Sequence, residues 1–160
     1  MPWTWDEVVA DPQLQELPYK LELNADGELI MNAVRVIHSF LVYEIQQHLQ
    51  KLKSIGSTPT EFPVRTKDGV RSPDIVWISQ ERKALTLNES AASLAPEICI
   101  EVMSPGNTER KMLEKKDLYI DAGALECWIC DENGIMRFYN LTGSLEQSRL
   151  VSEFPKQITT

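Results

Sequence analysis

Residues 19–31, YKLELNADGELIM, alternate apolar and polar positions on either side of Asn24-Ala25-Asp26-Gly27, whose residue types tolerate the positive φ of tight turns. This pattern predicts a β-hairpin. From Ala33 to Leu52 the period changes: Val36, Ile37, Phe40, Leu41, Ile45, Leu49 and Leu52 recur at three and four positions, the stripe of an amphipathic helix. A turn at Lys67-Asp68-Gly69 then leads into the short apolar run Ile75–Ile78, which suits a buried strand. Residues 80–95 follow neither period and read as a loop. Pro96–Met103, PEICIEVM, reads as a central strand opened by proline and broken by Ser104-Pro105-Gly106-Asn107. A helix is expected from Thr108 to Ala122, ended by Gly123 as a left-handed cap. Strands Glu126–Cys130 and Ile135–Leu141 flank a turn at Asp131–Gly134, and one more strand is expected near Glu146–Val151. The order hairpin, long helix, strands, helix, strands predicts an α/β or α+β fold, a mixed sheet with helices packed against it.

Two acids interrupt segments that otherwise read as buried. Asp74 directly precedes IVWI, and Glu101 lies near the end of EICIEV. Ionised acids are rarely buried without partners, and two carboxylates about 4 Å apart at an effective dielectric near 20 repel by roughly 4 kcal/mol. A divalent cation would offset that repulsion, and one or two carboxylates plus waters is the environment Mg²⁺ prefers. The other reading is that each acid marks a strand end or pairs structurally with an arginine.

These residues also belong to an ordered series. Arg71-Ser72-Pro73-Asp74-Ile75-Val76 is followed by Pro96-Glu97-Ile98-Cys99-Ile100-Glu101-Val102-Met103-Ser104-Pro105, then by Lys115 and Tyr119, Ala122-Gly123, and Glu126-Cys127-Trp128-Ile129. The series resembles the Uma family, a domain-of-unknown-function family placed among the endonucleases of the PD-(D/E)xK superfamily, from the Tyr19 hairpin to about Asp131. The resemblance implies a restriction-endonuclease-like core and a phosphodiesterase site using Mg²⁺ or Mn²⁺. It makes Asp74 and Glu101 the metal-holding acids. Glu22, in the first hairpin strand, is a third ligand or water-positioning candidate, and Glu44 on the long helix competes with it.

The lysine departs from the usual motif. It ordinarily stands two residues after the second acid, where this chain has Met103, which can neither donate a proton nor stabilise developing negative charge. The resemblance places the substitute at Lys115, four residues before Tyr119 and on the same helical face. Helical projection alone favours Lys116, which points into the stripe Met112, Leu113, Tyr119, Ile120, with Lys115 at its edge. Lys111 stands where the family more often has an acid.

Other signals are weaker. Cys127-Trp128-Ile129-Cys130 has a redox-motif spacing, but in a strand residues three apart face opposite sides, and no second pair completes a zinc site. His38 and His48 are expected at the surface or an interface. Trp77 and Trp128 read as core, and Trp3 and Trp5 as cover for a sheet edge or a partner subunit.

Length and composition bound these readings. The chain has 160 residues, 42% of them hydrophobic, and reads as a single domain with residues 1–18 as an N-terminal extension and 152–160 as a flexible tail. No run approaches the roughly 20 apolar residues of a spanning helix, and MPWTWDEVVADP lacks a basic segment followed by an apolar core. A cytoplasmic protein with no membrane partner and three reduced cysteines is expected. Sixteen basic and 24 acidic residues give a net charge of −8, which excludes a generally basic nucleic-acid binder. The charge is uneven: residues 1–32 hold seven acids against one lysine, whereas residues 51–83 hold seven basic residues against four acids. The segments flanking Asp74 are therefore cationic, and nucleic acid, DNA first, remains the expected partner, bound with steep salt sensitivity. A homodimer is expected because exposed edges of small mixed sheets commonly pair. Two other classes compete: a degenerate nuclease fold acting as an interaction or regulatory module, favoured by Met103 and the acidic surface, and an acidic structural subunit of a larger assembly.

Overall fold

In the computed structural model, which describes residues 2–160, two sheets form around three apolar clusters. The elements run α1 (Trp5–Ala10), α2 (Pro12–Gln15), β1 (Lys20–Leu23), β2 (Leu29–Asn32), α3 (Val36–Leu52), β3 (Val64–Thr66), β4 (Gly69–Arg71), β5 (Ile75–Trp77), α4 (Gln80–Thr86), β6 (Ile98–Val102), α5 (Glu109–Asp121), β7 (Glu126–Cys130), β8 (Met136–Asn140) and β9 (Gly143–Leu145). The larger sheet has the order β5-β6-β7-β8-β9, with β6 and β7 parallel and its other pairs antiparallel. The smaller sheet, β2-β1-β4-β3, is antiparallel. This is the expected mixed α+β architecture with its N-terminal hairpin.

The parallel β6–β7 pair requires a crossover, and α5 supplies it. Thr108 caps that helix by accepting from the Lys111 N–H, and Gly123, at φ +112°, ends it. Alternation along β6 then divides the core. Ile98, Ile100 and Val102 face Leu41, Ile45 and Leu49 of α3. Cys99 packs on the other side with Tyr119 of α5 and Cys127. Cys127 and Cys130 thus lie in different clusters, and all three cysteines are buried and free. Each fully buried aliphatic of the α3 stripe contributes roughly 1.5–3 kcal/mol.

Glycine is indispensable at the β3–β4 turn. Gly69 has φ +79°, and a Cβ there would stand 2.0 Å from the Leu23 carbonyl oxygen. Its absence lets β4 approach β1, pairing Val70 with Leu23. That pairing sets the hairpin beside the segment leading to Asp74.

Several expectations need correction. Residues 80–95 contain α4, started by the Ser79 hydroxyl accepting from the Arg82 N–H, a cap too short in sequence to stand out from a loop. The expected strand at 146–151 does not form; β9 ends at Leu145. The α3 stripe is rotated, so that Val36 and Phe40 are exposed while His38, Leu41, Ile45 and Leu49 face inward. Trp128 is core as expected, whereas Trp77 is half-buried, with its indole N–H donating to the Ile55 carbonyl. Trp5 packs with Val8 against Leu23 and Val70, covering the hairpin sheet.

Residues 152–160, expected as a flexible tail, deliver Phe154 and Ile158 into the main core. Phe154 lies 4.6 Å from the Trp128 ring. Glu126 anchors the preceding segment: its buried carboxylate accepts from the Trp128 indole, the Ser148 hydroxyl and the backbone N–H groups of Arg149 and Leu150. Four donors satisfy the charge without a cation. Phe154→Ala is therefore expected to cost about 3–5 kcal/mol in urea unfolding, as a core aromatic and not a tail residue would. Tyr119→Phe should be neutral or stabilising in the same assay, because the Tyr119 hydroxyl is buried with no hydrogen-bond partner.

Candidate active site

The register of the larger sheet creates the site. Antiparallel pairing of Ile75 with Ile100 brings Asp74, just before β5, alongside Glu101 of β6. The Asp74 N–H donates to Glu101 Oε1 at 3.1 Å, and the Val102 N–H donates to Asp74 Oδ2 at 2.8 Å. Alternation along β1 directs Lys20 and Glu22 to one face, toward these acids, while Leu21 and Leu23 pack with Trp5 and Val8. Glu22 Oε2 accepts from the Ser72 N–H at 2.7 Å, tying the hairpin to the approach to β5. From α5, the Lys115 ammonium donates to Glu22 Oε1 at 2.8 Å and Glu101 Oε2 at 2.7 Å. From β1, the Lys20 ammonium donates to Asp74 Oδ1 at 3.0 Å, Glu101 Oε1 at 3.4 Å and the Ser72 carbonyl at 2.9 Å. His38, at the start of α3, sets Nε2 3.3 Å from Asp74 Oδ2.

Three buried carboxylates thus share two ammonium groups. Burial opposes the ionised form of Glu22, but the charges of Lys115 and Lys20 reverse this and hold its pKa below the usual carboxylate value. For Asp74, burial is likewise overturned, by Lys20 and by the hydrogen bond and charge of His38, and its pKa is held low. Glu101 behaves differently. Its burial, reinforced by the negative charges of Asp74 and Glu22, outweighs both lysines, and its pKa is raised. Lys20 feels burial pushing its pKa down, yet Glu101, Asp74 and Glu22 together lift it above the ordinary lysine value. Neighbouring carboxyls pushed in opposite directions are a pattern found at acid–base sites.

The structure brings together Asp74, Glu101, Glu22 and Lys115. It leaves out Lys116 and Glu44. Lys116 pairs with Asp117 and lies over the Tyr139 ring. The helical projection misjudged it because Leu113 and Ile120 are only half-buried; the buried line is Met112, Lys115, Tyr119. Glu44 is half-buried on α3, outside the cavity that the acids line. Two members of the cluster were missed. His38 is buried, not superficial, and its signal was its place one turn before Leu41 on the inward stripe of α3. Lys20 was signalled by its position two residues before Glu22 on an alternating strand. His48, by contrast, meets the edge of Phe154.

A cavity of about 230 Å³ opens onto the cluster, lined by Asp74, Glu101, Lys115, Lys20, His38 and Asn107 among others. A larger recess of about 660 Å³ lies elsewhere, between α3, the 54–63 loop and α4, and contains none of the five charged groups.

The donor set suits a hard divalent cation. Asp74 Oδ1, Glu101 Oε1 and the Ser72 carbonyl oxygen all converge on one positive atom, the Lys20 nitrogen. No group of three or more carboxylate, imidazole or thiol side chains among the described residues is arranged as a cage. Mg²⁺ does not need one, since it is commonly held by one or two carboxylates and completes its octahedron with water.

Comparison with known proteins bears on this arrangement. Among solved structures, the chain is similar to a crystal structure described as "a putative nuclease belonging to DUF820" from Anabaena variabilis, at 20% identity and a TM-score of 0.69, covering 87% of this chain and 80% of that one. At that identity the likeness establishes a shared fold. No curated protein matches. The model of the Uma2 family, described as "Putative restriction endonuclease", matches residues 11–158. With nearly its whole length matched, the chain belongs to the Uma2 family.

Proposed function

We propose that the protein is a divalent-metal-dependent endonuclease that hydrolyses phosphodiester bonds in nucleic acid, DNA first, at the cavity lined by Asp74, Glu101, Lys115 and Lys20, with Glu22 behind Lys115. The observation that carries this reading is the convergence of two acids, Asp74 just before β5 and Glu101 on β6, and a helix-borne lysine, Lys115, on one opening. Family membership and the nuclease-fold neighbour support it.

Asp74 and Glu101 are the residues that would hold the cation, Mg²⁺ or Mn²⁺. When bound, the cation supplies positive charge to phosphate oxygens and makes water a stronger nucleophile. Lys115 reaches the same opening from α5 and takes the part that Met103 cannot. Its ammonium neutralises charge developing on the phosphoryl oxygens or orients the attacking water. Glu22 holds Lys115 in place through the 2.8 Å contact. His38 fixes the Asp74 carboxylate from the side opposite the Lys20 contact, through Oδ2. An acidic protein must draw its phosphate backbone to local positive charge, and residues 51–83 and the start of α5 carry it. The exposed Val36, Phe40 and Tyr43 on the outer face of α3 support a homodimer. Among the described residues, no helix is long and apolar enough to cross a membrane.

One observation favours a second reading, a nuclease fold retained as an interaction or regulatory module. The two lysines already satisfy the acids, as a purely structural ion cluster would.

Cleavage of supercoiled and single-stranded DNA with Mg²⁺ and Mn²⁺ separates the two. The nuclease reading expects nicking that chelation stops, and a loss of at least about a hundredfold in Asp74→Asn and Glu101→Gln with near-UV circular dichroism unchanged. Variants that cut like the wild type would show that the activity lies elsewhere. Comparison of Lys115→Gln with Lys116→Gln assigns the lysine: the first should lose at least about tenfold in single-turnover cleavage and the second should retain the wild-type rate. The reverse result would place the function on Lys116.

A further inference from the structure

The proposed chemistry uses Lys115 and leaves Lys20 without a part in it. Its nitrogen sits between Asp74 Oδ1 and Glu101 Oε1 and touches the Ser72 carbonyl, which is the set of oxygens assigned above to a divalent cation. An ammonium and a metal ion cannot occupy one point. The two lysines of the cluster differ in how they are held. Lys115 makes two short contacts, of 2.8 and 2.7 Å, and rises from the buried face of α5 between Met112 and Tyr119. Lys20 makes three, of 2.9 Å to the Ser72 carbonyl, 3.0 Å to Asp74 and a long 3.4 Å to Glu101, and comes from a four-residue strand. It also lines a second, shallow recess on the outer side, shared with Leu17, Tyr19 and Glu61. The exposed Glu61 carboxylate borders both openings, so an ammonium leaving Asp74 and Glu101 has another acid on its path. Glu61 is moreover the only non-glycine residue at positive φ among those described, +50°, and its N–H donates to the Asp74 carbonyl, which fixes this wall of the site to the acid itself.

We propose that Lys20 is a positioning residue that competes with the divalent cation for Asp74 and Glu101. It holds the two carboxylates together before metal arrives and must swing outward, toward Glu61, to admit it. This inference rests on the metal-dependent reading above. Removing the ammonium should tighten metal binding, because the cation no longer has to displace it, while making the metal-free protein less stable through unrelieved repulsion between the acids.

Two measurements test the idea. The first is calorimetric titration of MnCl₂ into the wild type and Lys20→Gln. The competition predicts about tenfold or more tighter binding in the variant, because no ammonium then competes for the two carboxylates. Equal or weaker binding in Lys20→Gln, with the wild type binding normally, overturns the role of Lys20 and leaves the metal site standing. Absence of Mn²⁺ binding in both proteins at millimolar metal overturns the metal site and this inference with it. The second measurement uses the wild type alone and does not depend on the variant folding. Lysine acetylation by a small activated ester, followed by peptide mass spectrometry, should rise several-fold at Lys20 on saturation with Mg²⁺, while the exposed Lys67 stays constant as an internal control. Unchanged Lys20 labelling at saturating Mg²⁺ would contradict the displacement.

Discussion

Three carboxylates buried in one cluster stay charged only if cations from elsewhere in the chain reach them, and the rest of this structure is arranged around that need. Asp74 and Glu101 are forced side by side by strand register, not by mutual attraction. Glu22 is brought in by a different sheet. Lys115 and Lys20 bind the three into a single network that joins both sheets and α5. Breaking one partner of such a network leaves an uncompensated buried charge, typically about 3–5 kcal/mol. The cluster is therefore a structural hub as well as a candidate site.

The fold supplies the geometry with few parts. Gly69 lets β4 approach β1 closely enough for the hairpin to face Asp74. The β6-α5-β7 crossover lays the buried line Met112, Lys115, Tyr119 over the face of β6 that carries Cys99 and Glu101. On the opposite face, α3 packs its aliphatic stripe and delivers His38 to Asp74 from the same line of side chains. The contact between Lys115 and Glu101 follows from this layout, because the buried line of α5 lies over the acid-bearing face of β6.

The pattern of the chain revealed the hairpin, α3, β6, α5, β7 and β8, because each carries a clean period and a turn or cap at its end. It revealed Asp74 and Glu101 because an acid in an apolar strand is conspicuous. It did not reveal their contact, which depends on an antiparallel pairing across an intervening segment that has its own helix, α4. Lys115 over Lys116 could not be settled by projection, since Leu113 and Ile120 count as apolar in sequence yet face a half-buried flank. Lys20 and His38 escaped for a related reason. A lysine at a strand start and a histidine at a helix start are ordinary surface residues unless the element carrying them is known to end against buried acids. The tail escaped because Phe154 and Ile158 are too sparse to form a periodic segment, although both are core.

Diffraction from crystals soaked in Mn²⁺ tests the central claim most directly, since anomalous scattering locates the ion without reference to activity. The account predicts a single strong peak between Asp74 Oδ1 and Glu101 Oε1, with the Lys20 ammonium turned away from both and Lys115 still bridging Glu22 and Glu101. A peak elsewhere on the protein, or a Lys20 ammonium still seated between the two acids with Mn²⁺ bound at another site, would contradict it.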